Sequence, residues 1–204
     1  MKWNDVYVLA FGSKDELSWK TAFALCLRYD IPFHKMAIFH TDEKKEIPSQ
    51  YLGFLSNCTL QSKIIILAHG TQDYIDCSPF GQMSPVTFLL FLYHGLGLRK
   101  AGIISFKSCD LGAGFFLEKC KTNCELLFKD LHIGWLKAYK GISASHFLYN
   151  SCSFSSGRDD YFLREKTNCE SKLNDDIRVK ILKGNVDATP CDIKGQRWAN
   201  LLNQ

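Results

Sequence analysis

The chain has 204 residues, 46% of them hydrophobic and 23% charged, with a formal net charge of +4. At about 150 residues per domain this predicts a single domain over 1–204 with apolar side chains enough for a sizeable core. So small and evenly spread a charge gives no footprint of nucleic-acid binding, and no run approaches the ~18 apolar residues of a membrane span. The start, Met1-Lys2-Trp3-Asn4-Asp5, lacks the apolar core of a signal peptide, so a chain outside the general secretory route is expected. Nine cysteines, an odd number spread along the chain without Cys-x-x-Cys pairs, point to a reduced compartment such as the cytoplasm. Cys26, Cys120 and Cys124 fall within apolar helical patterns, where a thiol acts as a small hydrophobe. Cys120 and Cys124 are close neighbours but lack partners at zinc-site spacing, so no metal is expected.

In chain order, Asp5 to Phe11 is an apolar run ending at Gly12 and predicts a buried strand. Ser13 and Glu16 have capping-box spacing ahead of a helix with Leu17, Thr21, Ala24, Leu25 and Arg28 on one face, closed by Pro32. Lys35 to Phe39 predicts a second strand, Asp42 to Ser49 a loop, and Tyr51 to Asn57 a short helix. Ile64-Ile65-Ile66-Leu67-Ala68 is the strongest strand signal, a β-branched run suited to burial on both faces. Ser84-Pro85 starts a helix running through Phe88, Leu89 and Leu92 to Gly95, with His94-Gly95 as its C-terminus. Ala101 to Phe106 predicts a strand, and Ala113 to Leu131 a helix with Phe116, Cys120, Leu127 and Leu131 on its apolar side. Gly134 to Tyr139 predicts another strand, with Ile142 to Phe147 extending or following it. Ser151 to Asp160 reads as an exposed loop, Asp176 to Leu182 as a half-exposed strand, and Ile193 to Leu202 as a short helix. Trp3, Trp19, Trp135 and Trp198 are expected in the core. Strands alternating with helices predict an α/β fold, a mainly parallel sheet sandwiched by helices.

In such sheets ligands bind at the carboxyl ends of the strands. Two predicted strands end in chemically capable residues, one in His69-Gly70 and the other in Lys107-Ser108-Cys109-Asp110. If the strands are parallel and close, His69 and Cys109 meet on one edge. A free cysteine, with pKa near ~8.5, is mostly thiol at neutral pH, and only the thiolate attacks. An imidazole can take its proton and later protonate a leaving amine. The helix after Cys109 would add a field favouring an anion, and the backbone N–H groups of Gly70 and Cys109 could form an oxyanion hole. His34, His40, His132 and His146 are expected at the surface or in packing, and Asp110 is expected to stabilise the loop after Cys109.

Ile64-Ile65-Ile66-Leu67-Ala68-His69-Gly70-Thr71-Gln72 resembles the strand and His-Gly motif of caspases, metacaspases and paracaspases, with wording especially like that of metacaspases. Ile103-Ile104-Ser105-Phe106-Lys107-Ser108-Cys109 resembles their nucleophile strand. The order, His before Cys, and the 40-residue gap (109 − 69) are also similar, and the resemblance covers roughly residues 5 to 147. It implies a caspase-like cysteine endopeptidase acting on protein substrates, with His69 as general acid/base, Cys109 as nucleophile and Gly70 in the oxyanion hole. It also implies that Ser143, Ala144 and Ser145 form a substrate-pocket wall.

Metacaspases and paracaspases carry Asp two residues before the nucleophile, facing a basic P1 side chain. Lys107 stands there, which implies an acidic or neutral P1 residue. Asp159-Asp160 would then suit self-cleavage within the Ser151 to Asp160 loop. Toxin-type members of this superfamily are activated by inositol hexakisphosphate on a basic surface. Lys172, Arg178, Lys180, Lys183, Lys194 and Arg197 are the residues that could supply one, although a solvated face is the simpler reading. By analogy to bacterial effector proteases, the chain could be an effector or toxin delivered into a host cell. The rival readings are a thiol acyl-transferase or deamidase using the same dyad, a catalytically silent protein-binding module, and a flavodoxin- or Rossmann-like domain. The last is disfavoured because Gly12-Ser13-Lys14 is too short for a phosphate loop.

Overall fold

The run that reads most strongly as a buried strand lies at the centre of the molecule. In the computed structural model Ser62–Leu67 forms β3, with Ile64, Ile65, Ile66 and Leu67 all buried, so both faces are covered. The structure describes residues 3–12, 17–42, 45–141, 143–148, 162–167 and 179–188; residues 17, 18, 28, 143–148 and 162–167 are described through their backbone alone. Parallel neighbours flank β3: β1 (Asp5–Gly12) on one side and, past the crossover, β7 (Lys100–Lys107) on the other. Outside β1 lies β2 (Met36–His40), and outside β7 lies β8 (His132–Tyr139), both parallel. Val179–Lys183 forms β11, which joins β8 antiparallel and completes a six-stranded sheet in the order β11-β8-β7-β3-β1-β2. The fold is therefore α/β, with a mixed and mainly parallel sheet.

The chain runs outward from the centre in both directions, and this puts its helices on opposite faces. Helix α1 (Leu17–Arg28) links β1 to β2 and packs Ala22, Leu25 and Cys26 on Val8, Ala10, Ile65 and Leu67. Helices α2 (Pro85–Leu90) and α3 (Phe116–Leu126) cover the other face, where Phe88, Leu89, Phe116 and Cys120 pack on Leu9, Ile64, Ile66 and Phe106. The Phe88 and Phe106 rings lie 5.5 Å apart, and Phe106 meets Phe116 edge-on at 5.7 Å. Such pairs add about 0.5–1.5 kcal/mol beyond the area they bury.

Several local expectations change. Ser84 caps α2 by accepting from the Thr87 N–H at 3.4 Å, but the helix widens to a π turn at Phe91–Gly95. The left-handed residue after it is Gly97, φ +75°, rather than Gly95. The helix expected at Tyr51 to Asn57 is a 3-10 turn at Ser49–Tyr51 followed by tight turns. Helix α3 spans Phe116–Leu126 rather than Ala113 to Leu131, and Leu127 is 61% exposed. Trp3 and Trp135 are buried, while Trp19 is half-exposed on α1.

Ser143–Leu148 forms β9, which does not extend the main sheet; it pairs antiparallel with β10 (Phe162–Thr167) in a separate hairpin beside α1. A small three-stranded sheet of β4 (His69–Gly70), β5 (Ile75–Asp76) and β6 (Gln82–Met83) sits between β3 and α2. Its two-residue strands have no periodicity to read. Expectations at Ser13 and Glu16, Ser151 to Asp160, Ile193 to Leu202 and Trp198 lie outside the described residues.

Candidate active site at the strand ends

The parallel register of β3 and β7 pairs Leu67 with Lys107. His69 and Cys109 each follow two residues later, so the two leave the sheet at the same level on adjacent strands. Gly70 fixes how closely the segments approach. A Cβ added there would lie 2.8 Å from the Cys109 carbonyl oxygen, 2.9 Å from Leu111 Cδ1 and 3.0 Å from Ser108 Cβ. Only a glycine fits, and its backbone lies directly against Ser108–Cys109. His69 is exposed and Cys109 is partly exposed, so solvent reaches both. Ser108, between them, is buried, and its hydroxyl has no hydrogen-bond partner.

After Cys109 the chain turns sharply rather than entering a helix. Asp110 has φ +54°, and the Leu111 N–H donates to the Cys109 carbonyl at 2.7 Å, closing a three-residue turn. Aspartate tolerates this left-handed conformation better than most residues, and such strain, about 1–3 kcal/mol, clusters at functional sites. The end of β8 holds the loop in place: Asp110 N donates to Gly141 O at 3.2 Å, and Gly112 N donates to Tyr139 O at 2.7 Å. A Cβ on Gly112 would stand 2.8 Å from both the Ala138 and Tyr139 carbonyl oxygens. These turns occupy the residues that α3 was expected to include. The helix start therefore stands further along the chain from Cys109 than the sequence suggests.

The turn after His69 is tied to the same region. Thr71 N donates to Tyr74 O at 2.9 Å, Gln72 lies against Gly114, and Asp73 pairs with Lys119 of α3 at 3.4 Å. Lys180 of β11 donates to Gly114 O at 2.8 Å and pairs with Glu118 at 2.6 Å, securing the other side of the loop.

Lys107, at the end of β7, donates from Nζ to the Tyr139 hydroxyl at 2.9 Å. The sequence marks Tyr139 only as the end of an expected strand, not as the partner of Lys107, and it carries no signal for the small β4–β6 sheet. Ser143, Ala144 and Ser145 lie on β9, whose start is two residues beyond the Gly141 carbonyl that receives Asp110 N–H. Of the basic C-terminal residues, Lys180 pairs with Glu118 and Lys183 with Asp187 at 2.5 Å, each engaged with a carboxylate of its own. Lys172, Arg178, Lys194 and Arg197 lie outside the described residues. An open cavity of about 490 Å³ between α2 and α3, bordered by Leu90, Tyr93, His94 and Phe128, is lined by neither His69 nor Cys109.

Five other thiols lie buried in the interior. Burial raises the Cys26 thiol to about 11 and the Cys58 and Cys124 thiols to about 12, and it lifts Cys77 and Cys120 well above the ordinary range. These five are chemically quiet at neutral pH. Among the described residues no helix is long and apolar enough to cross a membrane. No family model and no curated protein matches the chain.

Proposed function

We propose that the chain is a cysteine endopeptidase of caspase-like architecture, with Cys109 as nucleophile and His69 as general base and acid. The observation that carries this reading is the seating of Gly70 on Ser108–Cys109, which brings the two strand ends together on one partly open edge. The strained Asp110 turn, adjoining Cys109, supports it.

In this mechanism His69 takes the Cys109 proton, and the thiolate attacks the carbonyl carbon of the scissile peptide. The N–H groups of Gly70 and Cys109 stabilise the oxyanion, each donor accounting for roughly 10²–10³ in rate. His69 then gives its proton to the departing amine. Water, deprotonated by His69, attacks the thioester to release the carboxylate product and regenerate the thiol. Lys107 favours an acidic or neutral P1 residue over a basic one. By this reading the protein works in a reducing cytosol, and delivery into a host cell remains part of the same proposal.

The test is labelling by a peptidyl acyloxymethyl ketone, followed by intact-mass and peptide mapping. Modification should fall on Cys109 and disappear in Cys109→Ala and His69→Ala, but persist in Cys26→Ala. Labelling spread over other cysteines, or unchanged in Cys109→Ala, would end the proposal. Mass spectrometry of peptide products separates hydrolysis from ligation or deamidation by the same dyad.

A further inference from the structure

We infer that Asp76 is a positioning residue for His69: its carboxylate, directly across the small sheet from the imidazole, steadies the ring and stabilises the imidazolium formed when Cys109 gives up its proton. The inference rests on the peptidase reading above and deepens it.

The sheet of β4, β5 and β6 has two unlike faces. Antiparallel register pairs Gly70 with Ile75 and Ile75 with Met83, and these two apolar side chains are buried, at 0% and 4% exposure. The other row pairs His69 with Asp76 and Asp76 with Gln82. Successive side chains of a strand point to opposite faces, so this second row stands on the outer face. Burial agrees: His69 and Gln82 are exposed and Asp76 is half-buried. His69 and Asp76 are therefore a directly opposed cross-strand pair on one face, and the Cβ atoms of such pairs stand about 4.5–5.5 Å apart.

Asp76 is anchored from its own strand. Its Oδ1 accepts from the Ser78 N–H at 3.0 Å and from the Ser78 hydroxyl at 2.7 Å, which closes a turn of the kind aspartate forms with the residue two positions on. Both donors are neutral, so they fix the carboxylate without cancelling its charge. Proton transfer from the Cys109 thiol to His69 creates a cation on the imidazole, and a carboxylate across the ladder favours that charged form. At such a separation the attraction acts through space and requires no direct hydrogen bond.

The experiment uses the full chain and a peptidyl acyloxymethyl ketone, with kinact and KI for Cys109 modification read by mass spectrometry. Asp76→Asn keeps an oxygen that accepts from Ser78 and removes the charge. Its kinact should fall about ten- to a hundredfold while KI stays within about twofold. Asp76→Ser, a second neutral side chain suited to the same turn, should show the same split. Ser78→Ala loosens the turn but keeps the charge, and should lower kinact less than about threefold. A kinact that survives in either neutral variant overturns the inference, as does a loss carried by KI. A fall in Ser78→Ala equal to that in Asp76→Asn also overturns it, since it marks a merely structural aspartate. If the probe does not modify Cys109 in wild type, the peptidase reading itself falls and takes this inference with it.

Discussion

Cys26, Cys58, Cys77, Cys120 and Cys124 lie inside the molecule, whereas Cys109 lies partly exposed at the carboxyl edge of the sheet. The interior cysteines sit among Leu, Ile and Phe side chains, where desolvation penalises the thiolate and the side chain behaves as a small hydrophobe. Cys109 sits in a turn bent through a left-handed Asp110, against the backbone of a neighbouring strand end. The same residue type thus serves packing in one region and is accessible to chemistry in the other. What separates them is where a strand stops.

Four outcomes would break or sharpen this contrast. The largest concerns the thiol at the edge: Cys109→Ala should lower peptide hydrolysis by about 10⁴-fold or more, and His69→Ala by at least about 10². Cys124→Ala should act on stability instead, lowering the urea midpoint through lost packing. Hydrolysis that survives Cys109→Ala would erase the distinction between the two regions.

Next comes Gly70→Ala. The added methyl meets backbone and Leu111 at 2.8–2.9 Å, so the strand ends must part. Activity should fall about 10²-fold and stability by about 1–3 kcal/mol, measured by initial rates and urea titration. A fully active Gly70→Ala would mean that the close approach is not part of the site.

The third outcome concerns pH. Burial raises the interior thiols above the ordinary range, to about 11 for Cys26 and about 12 for Cys58 and Cys124. Between pH 9 and those values the unfolded chain releases protons that the folded chain keeps. Stability is therefore full below about pH 9 and declines as pH rises toward 11–12. Denaturant midpoints taken from pH 7 to pH 11 should show the decline, and Cys58→Ala and Cys124→Ala should flatten it. A decline unaffected by both substitutions would assign it to other groups.

The smallest effect is expected at the exposed pair Asp73–Lys119, 3.4 Å apart with both side chains more than half exposed. Lys119→Ala should cost less than about 1 kcal/mol, a loss that added salt would hide. A larger loss would show that the turn after His69 depends on α3 for its position.

The strand ends were legible because an uninterrupted apolar run such as Ile64–Leu67 has to stop, and its first polar residue stands at the edge of the sheet. His69 stands two residues past Leu67 for that reason, and Cys109 stands two residues past the end of Lys100–Lys107. Helix boundaries were less legible. The stretch from Asp110 to Phe115 carries residues that could continue a helix, but hydrogen bonds to Tyr139 and Gly141 hold its first part in turns. His94-Gly95 read as a helix end, yet a π turn carries the chain to Gly97 before it reverses.

By itself the sequence determined the local units: the β-branched strands, α1 with its Pro32 stop, the Ser84 cap of α2 and the chemical residues that close two strands. Each depends on neighbours a few positions away, and periodicity or side-chain type records it. Tertiary structure alone decided that β3 and β7 are adjacent and in register, that Gly70 rests on Ser108–Cys109, that β11 turns antiparallel and that Tyr139 receives Lys107. These depend on pairings between residues 32 or more positions apart, such as Lys107 with Tyr139, which no local pattern encodes. They form because hydrogen-bonding groups left at strand ends must find partners, and only the assembled sheet brings those partners within reach.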